Sequence, residues 1–156
     1  MNAQFNHTYT TIAPLHDYIT AGYGTITMQS LNTQKRYTYK FKKKKTEKGV
    51  KQQIQPTQPI FVSLLVSPGL YMFIGTLWQN PLRFTHSRKS TMPSTAQSIK
   101  AITWFIKQLH KDRAREEAKL FSHCSIWHEG TCCRCGRPLT VPESIESGIG
   151  PVCAGM

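Results

Sequence analysis

Acid is the scarce ingredient of this 156-residue chain, with eight aspartates and glutamates against twenty lysines and arginines. The formal net charge is +12 at pH 7. Such an excess repels itself and calls for an anionic partner. Nucleic acid comes first, then an acidic protein, then anionic lipid. The few acids are badly placed for general acid–base work, because six of the eight lie from Asp112 onward. There is no Gly-rich phosphate loop, no Gly-x-Ser-x-Gly and no His-Glu-x-x-His. These absences argue against an enzyme. The opening residues, Met1 to His7, hold neither a basic nor an apolar leader region, so no secretory signal is expected. No internal repeat occurs.

A long apolar run is nearly present. No charge falls between Lys51 and Arg83, and residues 59–78 are about long enough to span a bilayer. Ser67-Pro68-Gly69 interrupts that run, and the triplet reads as a turn between strands over 60–66 and 70–78. A buried hairpin is expected, and no membrane partner.

Disulfides are also disfavoured. The five cysteines are an odd number, and Cys132, Cys133 and Cys135 crowd into four positions. That pattern suits a metal site in a reducing compartment. Cys132 and Cys135 form a Cys-x-x-Cys pair followed by Gly136, the shape of a zinc knuckle. Cys133, between them, should point away. Cys153 follows the turn-rich Gly148-Ile-Gly150-Pro151-Val and can return a third thiolate. His128 is the preferred fourth ligand, with Cys124 and His123 as alternatives. Three thiolates and an imidazole close the coordination sphere, so the expected Zn²⁺ is structural rather than catalytic. His128-Glu129 has the look of a zinc-deaminase His-x-Glu, but those enzymes keep one coordination position open. Between the knuckle and Cys153, Thr140-Val-Pro142-Glu143 reads as a capping box opening a short helix that Gly148 ends.

The run His128-Glu-Gly-x-Cys132-x-x-Cys135-Gly-Arg137, continuing through Pro142-Glu-Ser-Ile to Gly148-Ile-Gly-Pro-x-Cys153, resembles the C-terminal signature of uncharacterised phage, prophage and mobile-element proteins. A looser similarity covers Tyr71-Met-Phe-Ile-Gly75, residues 84–90 and Ala101-Ile-Thr-Trp104. The resemblance implies a mobile-element accessory protein in the bacterial cytoplasm. It implies His128, Cys132, Cys135 and Cys153 as zinc ligands, and it implies no reaction.

Charge is uneven along the chain. Residues 1–111 hold fifteen lysines and arginines against Asp17 and Glu47, whereas residues 112–156 are nearly neutral. The positive field therefore belongs to the body. Residues 25–30 alternate like a strand. Residues 36–42 alternate better, with Tyr37, Tyr39 and Phe41 on one face and Arg36, Thr38, Lys40 and Lys42 on the other. The aromatic face is expected to be core. A basic loop follows, with Lys43, Lys44, Lys45 and Lys48. Together with Arg36, Lys40 and Lys42 it is the leading nucleic-acid surface, because lysines suit phosphates as point charges. Arg83, Arg88 and Lys89, beside His86, form a second basic cluster. Arg134 and Arg137 flank the knuckle. Residues 82–85 read as a fifth strand. Ser94 is the expected N-cap of a helix whose stripe is Ile99, Ile102, Phe105, Ile106 and Leu109.

The expected class is α+β: a small antiparallel sheet of four to five strands covered by one long helix, plus a C-terminal zinc-knuckle module. The expected divisions are a loosely ordered lead-in (1–24), the basic body (25–111), a helical extension or linker (112–122) and the zinc unit (123–156). Two functions compete. One is a non-enzymatic nucleic-acid-binding accessory protein, taking DNA or RNA. The other is a protein-binding inhibitor of a host nucleoprotein defence, such as a CRISPR effector. The basic body favours the first.

Overall fold

The computed structural model describes residues 7–43, 59–79, 81–113 and 119–129. Its centre is one antiparallel sheet that curls into a half-barrel. In chain order the elements are β1 (His7–Thr8), α1 (Ile12–Thr20), β2 (Tyr23–Ser30), β3 (Arg36–Lys43), β4 (Ile60–Ser67), β5 (Leu70–Trp78), β6 (Arg83–His86), α2 (Gln97–Asp112), α3 (Leu120–His123) and β7 (Cys124–His128). Across the sheet the order is β1-β7-β2-β3-β4-β5-β6. Strand β3 is therefore the middle strand.

The alternation in β3 decides which face is core. Tyr39 and Phe41 are fully buried, and the Tyr39 hydroxyl donates to the Ser98 carbonyl at the start of α2, at 2.7 Å. Beside them lie Ile26 and Met28 from β2, Ile60, Val62 and Leu64 from β4, and Ile74 and Leu77 from β5. Burying each such side chain contributes roughly 1.5–3 kcal/mol. Helix α2 brings the stripe Ile99, Ile102, Phe105, Ile106 and Leu109 onto this face, all of it buried. It starts later than expected. Ala96 is the N-cap and makes no side-chain bond, so Ser94 does not cap it. At the other end the Asp112 carboxylate accepts the Leu120 N–H and the Gln108 amide, each at 2.8 Å.

The expected hairpin over 60–78 is present as β4 and β5, with Gly69 at φ 72 in the turn. Its strands are not buried on both faces, since Phe61, Val66 and Leu70 are exposed. Among the described residues no helix is long and apolar enough to cross a membrane.

The expectation of four or five strands under one long helix is overturned. Among the described residues the sheet has seven strands, and it outweighs the helices. Helix α1 covers the sheet as well, burying Ile12, Leu15, His16, Tyr18 and Ile19. Strand β7 inserts between β1 and β2, pairing Ile26 with His128 and Ser30 with Cys124. Local pattern shows neither. Helix α1 rests on tertiary packing, and β7 on a partner about a hundred residues away in sequence.

Two glycines mark close approaches. A Cβ on Gly24 would lie 2.7 Å from the Tyr18 ring, which stacks over β2. A Cβ on Gly75 would lie 2.2 Å from the Thr85 carbonyl oxygen and 2.6 Å from Phe84. Backbone cannot swing aside as a flexible side chain can. Gly75→Ala is expected to cost about 1–3 kcal/mol or more, read as a fall of about 2–4 °C in Tm per kcal/mol.

His16 predicts a pH effect. Its Nε2 sits 3.1 Å from the Arg113 guanidinium, which can only donate, so the neutral ring carries its proton on Nδ1. Burial lowers its pKa from 6.5, the Arg113 charge lowers it further, and Asp17, 3.5 Å from Nδ1, offsets part. The unfolded chain then binds a proton that the folded one refuses. The His16 contribution is intact above pH 6.5 and is lost as pH falls below it. Urea melts from pH 7.5 to 5 should show a shallower decline for His16→Gln than for the parent.

Candidate nucleic-acid interface

A central strand with aromatics on its core side must present its other residues outward. In β3 these are Arg36, Thr38, Lys40 and Lys42. Register sets what stands beside them. Lys42 pairs with Tyr23 on one side and Phe61 on the other, and Phe61 continues to Thr76 and Thr85. Lys40 pairs with Thr25 and Ser63, and Ser63 with Phe73. Arg36 pairs with Gln29, which pairs with Ser125. The outer face thus interleaves cations, aromatics and hydroxyls. Among the described residues its single carboxylate is Glu129.

The cations sit on rings. The Arg36 guanidinium carbon is 5.5 Å from the Trp127 ring centre, and the Arg83 one is 5.5 Å from Trp78. The Lys40 ammonium is 3.9 Å from the Tyr71 ring centre. Such contacts contribute about 0.5–1 kcal/mol at exposed sites and hold a long side chain in place. Phe61 and Phe73 meet edge to face at 5.9 Å.

Tyr71 stands on this face too, under the Lys40 ammonium. Burial pushes its phenol pKa up, the Glu129 carboxylate raises it further, and the Thr25 hydroxyl offsets part.

A polar relay links β2, β3 and the end of β7 on the same face. The Thr27 hydroxyl donates to the Glu129 carboxylate, a group that only accepts. Thr27 has no second proton, so Thr38 must donate to Thr27, at 2.7 Å. The Glu129 N–H donates to the Thr25 carbonyl at 2.9 Å, carrying the β7 pairing one residue past His128.

The sequence-predicted residues divide three ways. Arg36, Lys40, Lys42 and Arg83 share the outer face. Arg88 and Lys89 are exposed in the turn after β6. Lys43 is buried, with its ammonium 5.3 Å from the Tyr23 ring centre. His86 faces the other way, and its Nε2 lies 2.7 Å from the Met92 carbonyl. Lys44, Lys45, Lys48, Arg134 and Arg137 lie outside the described residues. Sequence reasoning missed Tyr71, Phe73, Trp78 and Trp127. The Trp78/Arg83 pair was legible as two strand residues flanking a tight turn. Tyr71 and Phe73 were hidden by a bulge at Val62/Ser63 that breaks the alternation.

Of the proposed metal ligands, Cys132, Cys135 and Cys153 also lie outside the described residues. His128 ends β7, fully buried, stacked on Tyr18 at 5.2 Å and 28°. Cys124, the alternative ligand, is buried at the start of β7; its thiol donates to the Leu120 carbonyl, and burial pushes its pKa up to about 12. His123 is edge-on to Trp104, on the exposed end of α3. No cluster of three metal-ligating side chains occurs among the described residues.

Residues 128–155 match a family of unknown function (DUF6011). That segment begins on His128. No curated protein and no solved structure matches the chain.

The thiol chemistry can be checked directly. Cys124 should resist iodoacetamide at pH 8 in the folded protein and react fully in urea, as read by peptide mass spectrometry.

Proposed function

We propose that this protein binds single-stranded nucleic acid, DNA or RNA, across the outer face of its sheet and catalyses no reaction. The observation that supports this reading best is the β3 cations standing among aromatic rings in the middle of the sheet. Single strands are held by a positive groove along the backbone and by rings on which bases stack. A duplex offers no free base faces to these rings, so they favour a single strand. Arg36, Lys40, Lys42 and Arg83 are the phosphate contacts of this reading. Phe61, Phe73 and Trp78 are its stacking rings, and Phe61 is exposed. Lys44, Lys45 and Lys48, which follow β3 in the sequence, belong to the same reading as further cations.

The reading includes a structural Zn²⁺ held by His128, Cys132, Cys135 and Cys153. The match over residues 128–155 runs from His128 through these cysteines, and His128 lies against the Tyr9 and Tyr18 rings. Zinc would supply folding energy to the C-terminal segment, on the order of 10–16 kcal/mol in apparent terms for comparable units. With four protein ligands it would leave no open position for a water. We assign the protein to the accessory set of a phage or other mobile element on the strength of its motif.

Fluorescence anisotropy with labelled single-stranded DNA and RNA, titrated with salt, tests the proposal. Affinity should fall with salt at a log–log slope of about −0.7 per phosphate contact. Arg36→Ala and Lys40→Ala should each make that slope shallower. Phe61→Ala should cost about 1–3 kcal/mol and leave the slope unchanged. Metal analysis of the same sample should find one zinc per chain. Binding indifferent to all three substitutions, with one host protein retained from a nuclease-treated lysate, would overturn the proposal in favour of a protein-binding inhibitor.

A further inference from the structure

The core side of the sheet carries a separate feature. Where α2 begins, it stands away from the β2–β3 hairpin and leaves a cavity of about 550 Å³. That falls within the range of about 300–1,000 Å³ typical of small-molecule sites. Its walls come from different elements. Trp104 and Lys100 stand on α2, Tyr37 on β3, and Lys35 on the hairpin tip. Cys124 and Met28, both buried, lie at the base. None of the lining residues is acidic.

The aromatic wall is an anomaly for a helix of this kind. Helix α2 is amphipathic and buries its apolar stripe, yet Trp104 lies outside that stripe and is 37% exposed. It meets His123 edge to face at 5.8 Å and 88°, which holds the indole in place. Tyr37 is only half-buried, whereas Tyr39 and Phe41 on the same side of β3 are fully covered.

The hairpin tip is ordered by its own bonds. The Ser30 hydroxyl accepts the N–H groups of Asn32 and Thr33, each at 3.2 Å. Gln34 takes a left-handed conformation, φ 62, uncommon outside glycine. Its side chain bonds to the Leu31 carbonyl at 3.1 Å and accepts from the Gln29 amide at 3.0 Å. A left-handed residue is common in such short hairpin loops. Lys35, next along this bonded tip, lines the cavity.

We propose that this cavity binds a nucleotide, with the base against Trp104 and Tyr37 and the phosphate at Lys35 and Lys100. The chemistry needs both halves: rings for a planar base, and two ammonium groups, with no acid in the wall, for a phosphate. A nucleoside without phosphate would leave the lysines unused, and inorganic phosphate would leave the rings bare. The nucleotide is either free or the terminal residue of a strand, since both offer the same groups. The site does not depend on the outer face, from which it is separated by the sheet.

Isothermal titration of the full chain with AMP, adenosine and inorganic phosphate tests this. AMP should bind saturably, and at least tenfold more tightly than either fragment. The double variant Lys35→Glu/Lys100→Glu should lose at least tenfold in AMP affinity, and so should Trp104→Ala. All three residues are exposed, so Tm should hold. Lys107→Ala, exposed on α2 but outside the cavity lining, should leave AMP binding unchanged. Competition separates the two sources. A 5′-phosphorylated linear oligonucleotide that displaces AMP where a circular one does not supports a strand end, and AMP displaced by neither supports a free nucleotide. The proposal is overturned if phosphate alone binds as well as AMP, if polyglutamate displaces AMP as readily as unlabelled nucleotide does, or if the cavity variants bind AMP like the parent.

Discussion

A strand in the middle of a sheet has two faces and no free edge, and everything else in this protein is arranged around that condition in β3. Its residues alternate between ring and charge, so one choice of register settles two outcomes together. Tyr39 and Phe41 enter the core only if Arg36, Lys40 and Lys42 leave it. A slip of one residue would put three cations under α2 and two large rings in water. The bond from the Tyr39 hydroxyl to the Ser98 carbonyl reinforces the register from outside the sheet. The positive face is thus not decoration added to a stable fold, since the interaction that buries the core also positions the charge.

The same coupling extends to the C-terminal segment. His128 is the first residue of the segment matched by the family, and it is also a member of the sheet, facing Tyr9 and Tyr18. The next residue, Glu129, anchors Thr27 and thereby Thr38 on the outer face. His128 and Glu129, neighbours in the sequence, thus meet partners on opposite sides of the sheet.

Much of the sheet was legible in the sequence because its signals are local. Alternation located β2 and β3, the Ser67-Pro68-Gly69 turn located β4 and β5, and the stripe from Ile99 to Leu109 located α2. What escaped notice depends on distant partners. Residues 12–20 contain Pro14 and few strong helix formers, and α1 stands because Leu15 and Ile19 are buried. Residues 124–128 drew attention as possible ligands, since cysteine and histidine there suggest metal more loudly than strand. Only the pairing with β2 shows that Cys124, Ile126 and His128 line up on the core side. On the outer face the lysines and arginines were visible as charge, but their company of rings, the Trp78/Arg83 pair apart, was not. Which ring meets which cation follows from strand order, and strand order is not written in any one segment.

Strand β7 also sets a timetable. It lies between β1 and β2, although nearly a hundred residues separate it from β2 along the chain. During synthesis, β2 through β6 emerge and can zip together as hairpins while the far side of β2 still waits for its neighbour. For that interval β2 is an open edge, rich in unpaired backbone groups, and such edges recruit whatever strand is nearby. Beyond Tyr23 at its start, the outer side of β2 offers Thr25, Thr27 and Gln29 in that interim, and they are poor glue for a stray apolar strand. The hydroxyls and amide on that side therefore have a reading in time as well as in space: they leave a stray strand little to pack on until β7 arrives.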